Sequence, residues 1–481
     1  MRLIIMVMGL LLICGPSLAA IGDVPIITRL NSFHGQDGIG PETVLVEDAD
    51  GCFYGTTSLG GLYSKGTVFR VTTNGALTNL ASFDGTNGFL PMGALTKDDI
   101  GNYYGVTYRG GRFDKGSIFK ITTTGVLTSM VSFDGTNGSS PYGEMILGFD
   151  GDFYGTTPSG GVGDHGTVFR FNTNGVLTTL TSFGVTNGAS PNAPLLLLPN
   201  RLLYGTTENG GADNSVDGFG NAGSGTVFSV TTNGVLTMIA SFYGTNGAIP
   251  TGGLIKGTDG FLYGTTRAGG ASPDIFFGYA GYGTVFKVTE SGILTTLASF
   301  DGIHGALPFS GVVQGADGNY YGTTMHGGSR FTPNAWPAEG VIFQVTSSGT
   351  FNSLVEFGWN AGTGTDNGMN PERGLTLGSD GKLYGTTFSG GGQAPAQYGT
   401  VFRFNFTAPP KLQISALTNG MVLLNWNSAV AQPYQLQFCD DLNDAIWRSV
   451  GNPIWATNST TTATDGVLDS QQRFYRVVLL R

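Results

Sequence analysis

Residues 54–83 read YGTTSLGGLYSKGTVFRVTTNGALTNLASF, and this stretch decides the fold. Thr67-Val68-Phe69-Arg70-Val71 is β-branched and aromatic, Asn74-Gly75 is a two-residue hairpin turn, and Leu77 to Phe83 resumes a strand pattern. The opening anchor, Tyr-Gly-x-Thr at Tyr54, returns at Tyr104, Tyr154, Tyr204, Tyr263, Tyr321 and Tyr384, in steps of 50, 50, 50, 59, 58 and 63 residues. Each copy reads as four strands. Around Tyr104 they are a (Gly93 to Lys97, after a proline), b (Asn102 to Thr107), c (Ser117 to Thr122) and d (Val126 to Phe133). A unit of about 50 residues with four antiparallel strands has the size of a propeller blade.

The strand count supports a circular arrangement. After Tyr384 the chain supplies strand c, Gly399 to Phe404, and then runs into Ala408-Pro409-Pro410 without a strand d. The missing strand is expected near the start, where Ile27-Thr28-Arg29-Leu30-Asn31-Ser32-Phe33 ends like Leu80-Ala81-Ser82-Phe83. The expected fold is therefore all-β: a seven-bladed β-propeller over residues 20–407, its last blade closed by the N-terminal strand, which removes an open sheet edge. Residues 408–481 change composition. Val422-Leu423-Leu424-Asn425-Trp426 and Tyr434-Gln435-Leu436-Gln437-Phe438 alternate like strands of a small β-sandwich with six or seven strands.

Three motifs, Ser82-Phe83-Asp84-Gly85-Thr86-Asn87-Gly88, Tyr54-Gly55-Thr56-Thr57 and Gly66-Thr67-Val68-Phe69, resemble the tandem repeats of the GloVer (Gloeobacter-Verrucomicrobia) family across residues 27–406. The resemblance implies an exported bacterial surface protein with a choice of C-terminal sorting anchors and no established activity. This chain ends Arg473-Phe474-Tyr475-Arg476-Val477-Val478-Leu479-Leu480-Arg481, without the Pro-Glu-Pro motif of such anchors. The C-terminal stretch resembles fibronectin III or immunoglobulin-like modules, though it lacks a Cys-Trp-Cys signature.

Composition narrows the function classes. Of 481 residues, 80 are Gly and only 12% are charged, and no helical apolar period is sustained, so short strands and turns dominate. Residues 1–19 read as a secretory leader: Arg2 is the basic end, Leu3 to Cys14 the apolar stretch and Ser17-Leu18-Ala19 the cleavage site. The mature chain is then expected to be secreted or peripherally attached to the cell surface, with no transmembrane segment. A net charge of −10, with no Lys/Arg cluster, disfavours nucleic acid as a partner. Cys52 and Cys439 fall in different domains and are expected as free thiols. A monomer without metal or cofactor is expected.

Topology places the candidate site. The b-c and d-a connections share one face of an up-and-down blade, and the a-b and c-d turns share the other. The b-c loop, from anchor Tyr to the Gly opening strand c, is 12 positions in three repeats and then grows to 21, 20, 19 and 15. Phe357 to Pro371 lengthens one d-a loop to 14 positions, against 8 elsewhere. These insertions carry Phe219, Phe276, Phe277, Tyr279, Phe331, Trp336 and Trp359, with Asp213, Asp217, Asp274, Arg330 and Glu339. Flat rings beside carboxylates suit sugars, whose apolar ring faces stack while polar groups take the hydroxyls. The same aromatics would also serve as fillers that pack long loops into a lid, and both readings stand.

Enzyme motifs are sparse. His34, His165, His304 and His326 lie in separate units without metal-ligand spacing. Asp84, Asp134 and Asp301 precede Gly in d-a loops and read as turn aspartates rather than calcium ligands. The expected function is non-catalytic binding of a polysaccharide or envelope component through the looped face. The alternatives are a polysaccharide hydrolase or lyase using Asp213, Asp217, Asp274 and Glu339, and an architectural spacer.

Overall fold

The computed structural model describes residues 26–213, 222–272, 274–276, 279–331, 339–360, 365–392, 398–405, 412–416, 421–427, 433–439, 447–457, 460–466 and 474–479. Residues 1–19, expected as a leader, lie outside them. The chain divides into two compact units, one spanning Ile27–Phe404 and one holding Asn405–Arg481. Helix among the described residues is a single 3-10 turn, Val185–Asn187.

Each of the seven repeats of the larger unit forms its own antiparallel sheet in the order a-b-c-d. In the first repeat the strands are Val46–Glu47, Phe53–Thr57, Thr67–Val71 and Leu77–Ser82. Strand a is shorter than expected, Thr96–Lys97 in the second repeat, because the segment before it crowds its neighbours. A Cβ on Gly93 would lie 3.0 Å from the Gly143 carbonyl of the next repeat. The second repeat also gains a short strand that sequence did not suggest, Phe89–Pro91, paired with Tyr103–Arg109. In the last sheet the outer position is taken by Ile26–Ser32, beside Thr400–Asn405. The Phe33 N–H donates to the Gly399 carbonyl (3.0 Å), as Phe83 does to Gly66 and Phe133 to Gly116 (2.9 Å each).

The repeated residues explain the packing. The anchor Tyr buries its ring and in most repeats sends its hydroxyl to an Asp in the a-b turn, as in Tyr154 to Asp150 and Tyr263 to Asp259 at 2.6 Å and Tyr321 to Asp317 at 2.7 Å, whereas Tyr204, with Asn200 in that turn, donates to Glu290 at 3.3 Å. A buried phenol needs such a partner. The Gly after it makes room for the strand-c Phe, since a Cβ there would meet that ring at 2.5 to 2.7 Å in all seven repeats. Gly105→Ala is therefore expected to force Phe119 out of place and to cost about 1–3 kcal/mol, read as a lowered unfolding midpoint in urea.

Two kinds of contact join neighbouring sheets. The Phe ending strand d meets the following sheet's strand-c Phe edge-on at 4.9 to 5.3 Å, in seven pairs from Phe33–Phe69 to Phe357–Phe402. Such pairs contribute about 0.5–1.5 kcal/mol each beyond the area they bury. Except in the second repeat, where Val106 stands in its place, the first anchor Thr donates to a carbonyl of the next repeat: Thr265 to Ser310 at 2.7 Å, Thr323 to Arg373 at 2.9 Å. Thr386 of the seventh repeat donates in the same way to Thr43 of the first, at 3.1 Å, and Tyr384 stacks on Phe53 at 4.0 Å.

The smaller unit holds two sheets with one apolar core. Leu412–Ala416, Met421–Asn427 and Thr460–Gly466 form the first; Pro433–Cys439 pairs with Arg448–Ser449, Ile454–Trp455 and Phe474–Leu479 in the second. Val422, Leu424, Trp426, Tyr434 and Leu436 fill the space between them. The Tyr475 hydroxyl donates to Asp465 (2.8 Å), tying one sheet to the other. Cys52 and Cys439 are both buried, and neither is in a disulfide among the described residues.

Candidate functional site

The two edges of the sheets differ in what they carry. At one, a-b and c-d turns close tightly, as in Asp48 N–H to the Cys52 carbonyl (2.9 Å) and Thr72 N–H to the Ala76 carbonyl (3.0 Å). At the other, the d-a and b-c loops lie side by side and bridge to each other: Ile39 with Leu59, Ser139 with Ser159, Ala189 with Asn209, Ala248 with Ala268, Ala306 with His326, Met369 with Ser389. The double glycine permits this approach. Gly60 sits at φ +80°, and a Cβ on it would lie 2.5 Å from the Gly35 carbonyl.

The insertion residues are held largely by their own loops. Ser224 donates to the Asp213 carboxylate. Asp274 accepts from the Tyr282 hydroxyl (2.8 Å) and from Ser272 (3.3 Å), closing the loop of the fifth repeat. Phe331 meets Tyr282 edge-on at 5.0 Å and covers Gly302, so it links the fifth and sixth repeats as a filler. Glu339 lies against Gly358, and burial raises its carboxyl above the ordinary range while Arg330 opposes that rise. Two short hairpins appear that sequence did not anticipate: Ile275–Phe276 with Tyr279–Ala280, and Trp359–Asn360 with Thr365–Asp366. They place the backbones of Phe276, Tyr279 and Trp359. Asp217, Phe219, Phe277 and Trp336 lie outside the described residues.

The repeated aspartates act as turn formers. Asp84 Oδ1 accepts from the Thr86 N–H (2.8 Å), the Thr86 hydroxyl (2.7 Å) and the Asn87 N–H (3.0 Å). These bonds, the Asn87 N–H first, hold its carboxyl below the usual carboxylate range. Asp134 repeats the pattern, and Asp301 accepts from His304. Among the described residues, no three His, Cys, Asp or Glu side chains are grouped to hold a metal.

Sequence reading missed a second feature, a cavity of about 50 Å³ lined by residues from all seven repeats. Its walls are the segments that follow each repeat's proline, and Met92, Tyr142, Glu144, Asn192, Phe309 and Arg373 give it its character. These positions vary where the scaffold does not: after the seven prolines stand Glu42, Met92, Tyr142, Asn192, Thr251, Phe309 and Glu372. That contrast between fixed anchors and a variable inner position was the available signal.

Charge is concentrated there. Arg373 pairs with the buried Glu42 (3.3 Å), and its guanidinium lies over the Tyr142 ring at 4.4 Å. Burial pushes the Glu144 carboxyl up to about 7. Burial, aided by Glu42 and opposed by Arg373, does the same to Glu372, also to about 7. Both side chains retain some solvent contact while being crowded by protein; Glu144 lines the cavity and Glu372 adjoins Arg373, which does. Below neutrality they are uncharged acids that both donate and accept hydrogen bonds. The residue before each proline is held at positive φ, including Leu90, Ile249 and Leu307 at +55° to +58°. For a β-branched residue such as Ile249 that conformation is strained, and strain of this kind collects where a site needs a fixed backbone.

No curated protein matches the sequence. Among solved structures, a putative 6-phosphogluconolactonase from Bacteroides uniformis is 18% identical, with a TM-score of 0.43 over 65% of this chain and 83% of that one. A gluconolactonase from Xanthomonas campestris is 11% identical, with a TM-score of 0.40 over 82% and 98% of the two chains. An ulvan lyase is 10% identical, with a TM-score of 0.40 over 83% and 93%. Likenesses this remote say nothing about activity. The family model of the Gloeobacter/Verrucomicrobia repeat matches twice, over residues 22–219 and 216–419, and the chain belongs to that repeat family.

Proposed function

We propose that the seven sheets are the blades of one β-propeller, closed where Ile26–Ser32 completes the last blade, and that this propeller is an exported, non-catalytic module binding carbohydrate on its looped face. One observation carries the reading: every long connection lies at one edge of the sheets, knitted by paired backbone bridges, while tight turns occupy the other. Loops on a rigid frame are where binding concentrates. The ligand is a glycan or another envelope component, met by Phe276, Phe277, Tyr279, Trp336 and Trp359 with the polar groups between them, while Phe331 packs the loop beneath. The smaller unit is read as a fibronectin III or immunoglobulin-like module serving attachment. Catalysis by the inserted acids is less favoured, because Asp213 and Asp274 are engaged by Ser224 and Tyr282. Among the described residues, no helix is long and apolar enough to cross a membrane.

Deleting residues 214–221 and 332–338 spares Asp213, Ser224 and Phe331. The expected result is loss of retention on immobilised xylan, cellulose or cell-wall sacculi, with a melting temperature within about 2 °C of the parent. Failure of the intact protein to be retained on any of these polymers would remove the carbohydrate reading. Release of new reducing ends from them would move it to the hydrolase class.

A further inference from the structure

The central cavity holds polar atoms that the protein itself leaves unmet. Asn192 Oδ1, an acceptor, and Arg373 Nε, a donor, are buried without a partner among the described residues. Leaving either group unpaired costs about 1–3 kcal/mol, so something that both donates and accepts belongs there. Water does both, and so does the hydroxyl of a ligand that takes its place.

We infer that the cavity seats the hydroxyl-bearing edge of one neutral sugar unit, so that a glycan chain is gripped at its end while the loops contact the rest. The inference deepens the carbohydrate reading above and rests on it for the length of chain beyond the cavity. The cavity's own chemistry supplies the ligand class. Its volume of about 50 Å³ has room for about three to five waters, which suits the edge of a ring and excludes a threaded polymer.

Neutrality follows from the charges around it. Arg373 is already paired with Glu42, and Glu144 and Glu372 would repel a carboxylate or sulfate wherever they ionise. Burial raises both acids to about 7, so below that pH Glu144 offers a further O–H to a sugar oxygen. Phe309 supplies an apolar surface for the ring carbons, and the Arg267 guanidinium lies 4.9 Å from its ring centroid. Met92 supplies more of that surface. The groups facing Glu372 are Glu42, Arg373 and Tyr142, and Glu208 also acts on Tyr142.

The test uses the full mature chain and methyl glycosides of glucose, galactose, mannose and xylose, with methyl glucuronide for comparison. Binding is read by saturation-transfer NMR and calorimetry. At least one neutral glycoside is expected to bind, more weakly at pH 8 than at pH 6. Asn192→Leu, which removes the unmet acceptor at similar volume, is expected to weaken it about tenfold or more without lowering the melting temperature. Phe309→Ala is expected to weaken it as well. The inference is overturned if no neutral glycoside binds, if methyl glucuronide binds tighter than all of them, or if Asn192→Leu leaves affinity unchanged. The loop-deleted protein separates the two readings. Glycoside binding that survives deletion supports the cavity, whereas polysaccharide retention by the intact protein without glycoside binding overturns the cavity and leaves the loop reading standing.

Discussion

A chain lacking residues 26–33 is expected to lose its cooperative fold and to associate, measured as loss of the thermal transition and a shift to large species on a sizing column. Strand Thr400–Asn405 would become an open edge with a row of unpaired backbone groups, a template for pairing with another molecule. The bond from the Phe33 N–H to Gly399 and the edge-on contact of Phe33 with Phe69 at 5.0 Å would go with it. A point substitution gives the same test a magnitude. Phe33 is 1% exposed and Phe133, its counterpart in the second repeat, is 0% exposed. Phe33→Ala and Phe133→Ala are thus expected to cost about the same, about 3–5 kcal/mol, in urea unfolding. A cost under about 1 kcal/mol for Phe33→Ala alone would mean that the first strand is an accessory and the sheets hold without it.

Arg373→Met is expected to destabilise the protein by about 3–5 kcal/mol at pH 8, because it leaves Glu42 buried without its cation. The loss should shrink at pH 5. Glu144 and Glu372 bind a proton up to about pH 7 in the fold, against 4.5 in an unfolded chain. Their raised values contribute stability fully present below about 4.5 and lost as pH rises through about 7. The parent protein itself should therefore soften over that window. Glu144→Gln with Glu372→Gln should flatten the dependence and melt higher than the parent at pH 8. Equal melting of parent and double variant at pH 5 and pH 8 would show that both acids ionise as freely as exposed ones.

Much of the fold was readable before any coordinates. Strands b, c and d of each unit, and the terminal strand that joins the last sheet, follow from alternation and from turns such as Asn74-Gly75, features confined to a few neighbouring residues. Strand a was overestimated, because its length is limited by crowding at Gly93 and Gly143, which are 50 residues apart. The inserted loops were located correctly, but their detailed roles were not legible. For the inserted residues the sequence left ligand contact and loop packing both open, and it takes Tyr282, a partner indistinguishable in sequence from any other loop tyrosine, to engage Asp274 and Phe331.

Sequence by itself determined the repeat, its seven copies, the order of strands within each and the side on which the long loops emerge, since these depend on local periodicity and on counting. Only the tertiary structure decided that Glu42, Tyr142, Asn192, Phe309 and Arg373 serve the same small space. Each is one variable residue in a separate unit, and its place just after a proline does not say what it faces. Their chemistry exists because packing brings the post-proline segments together, forcing carboxyls, a guanidinium and two aromatic rings out of bulk water where their charges and unmet hydrogen bonds count.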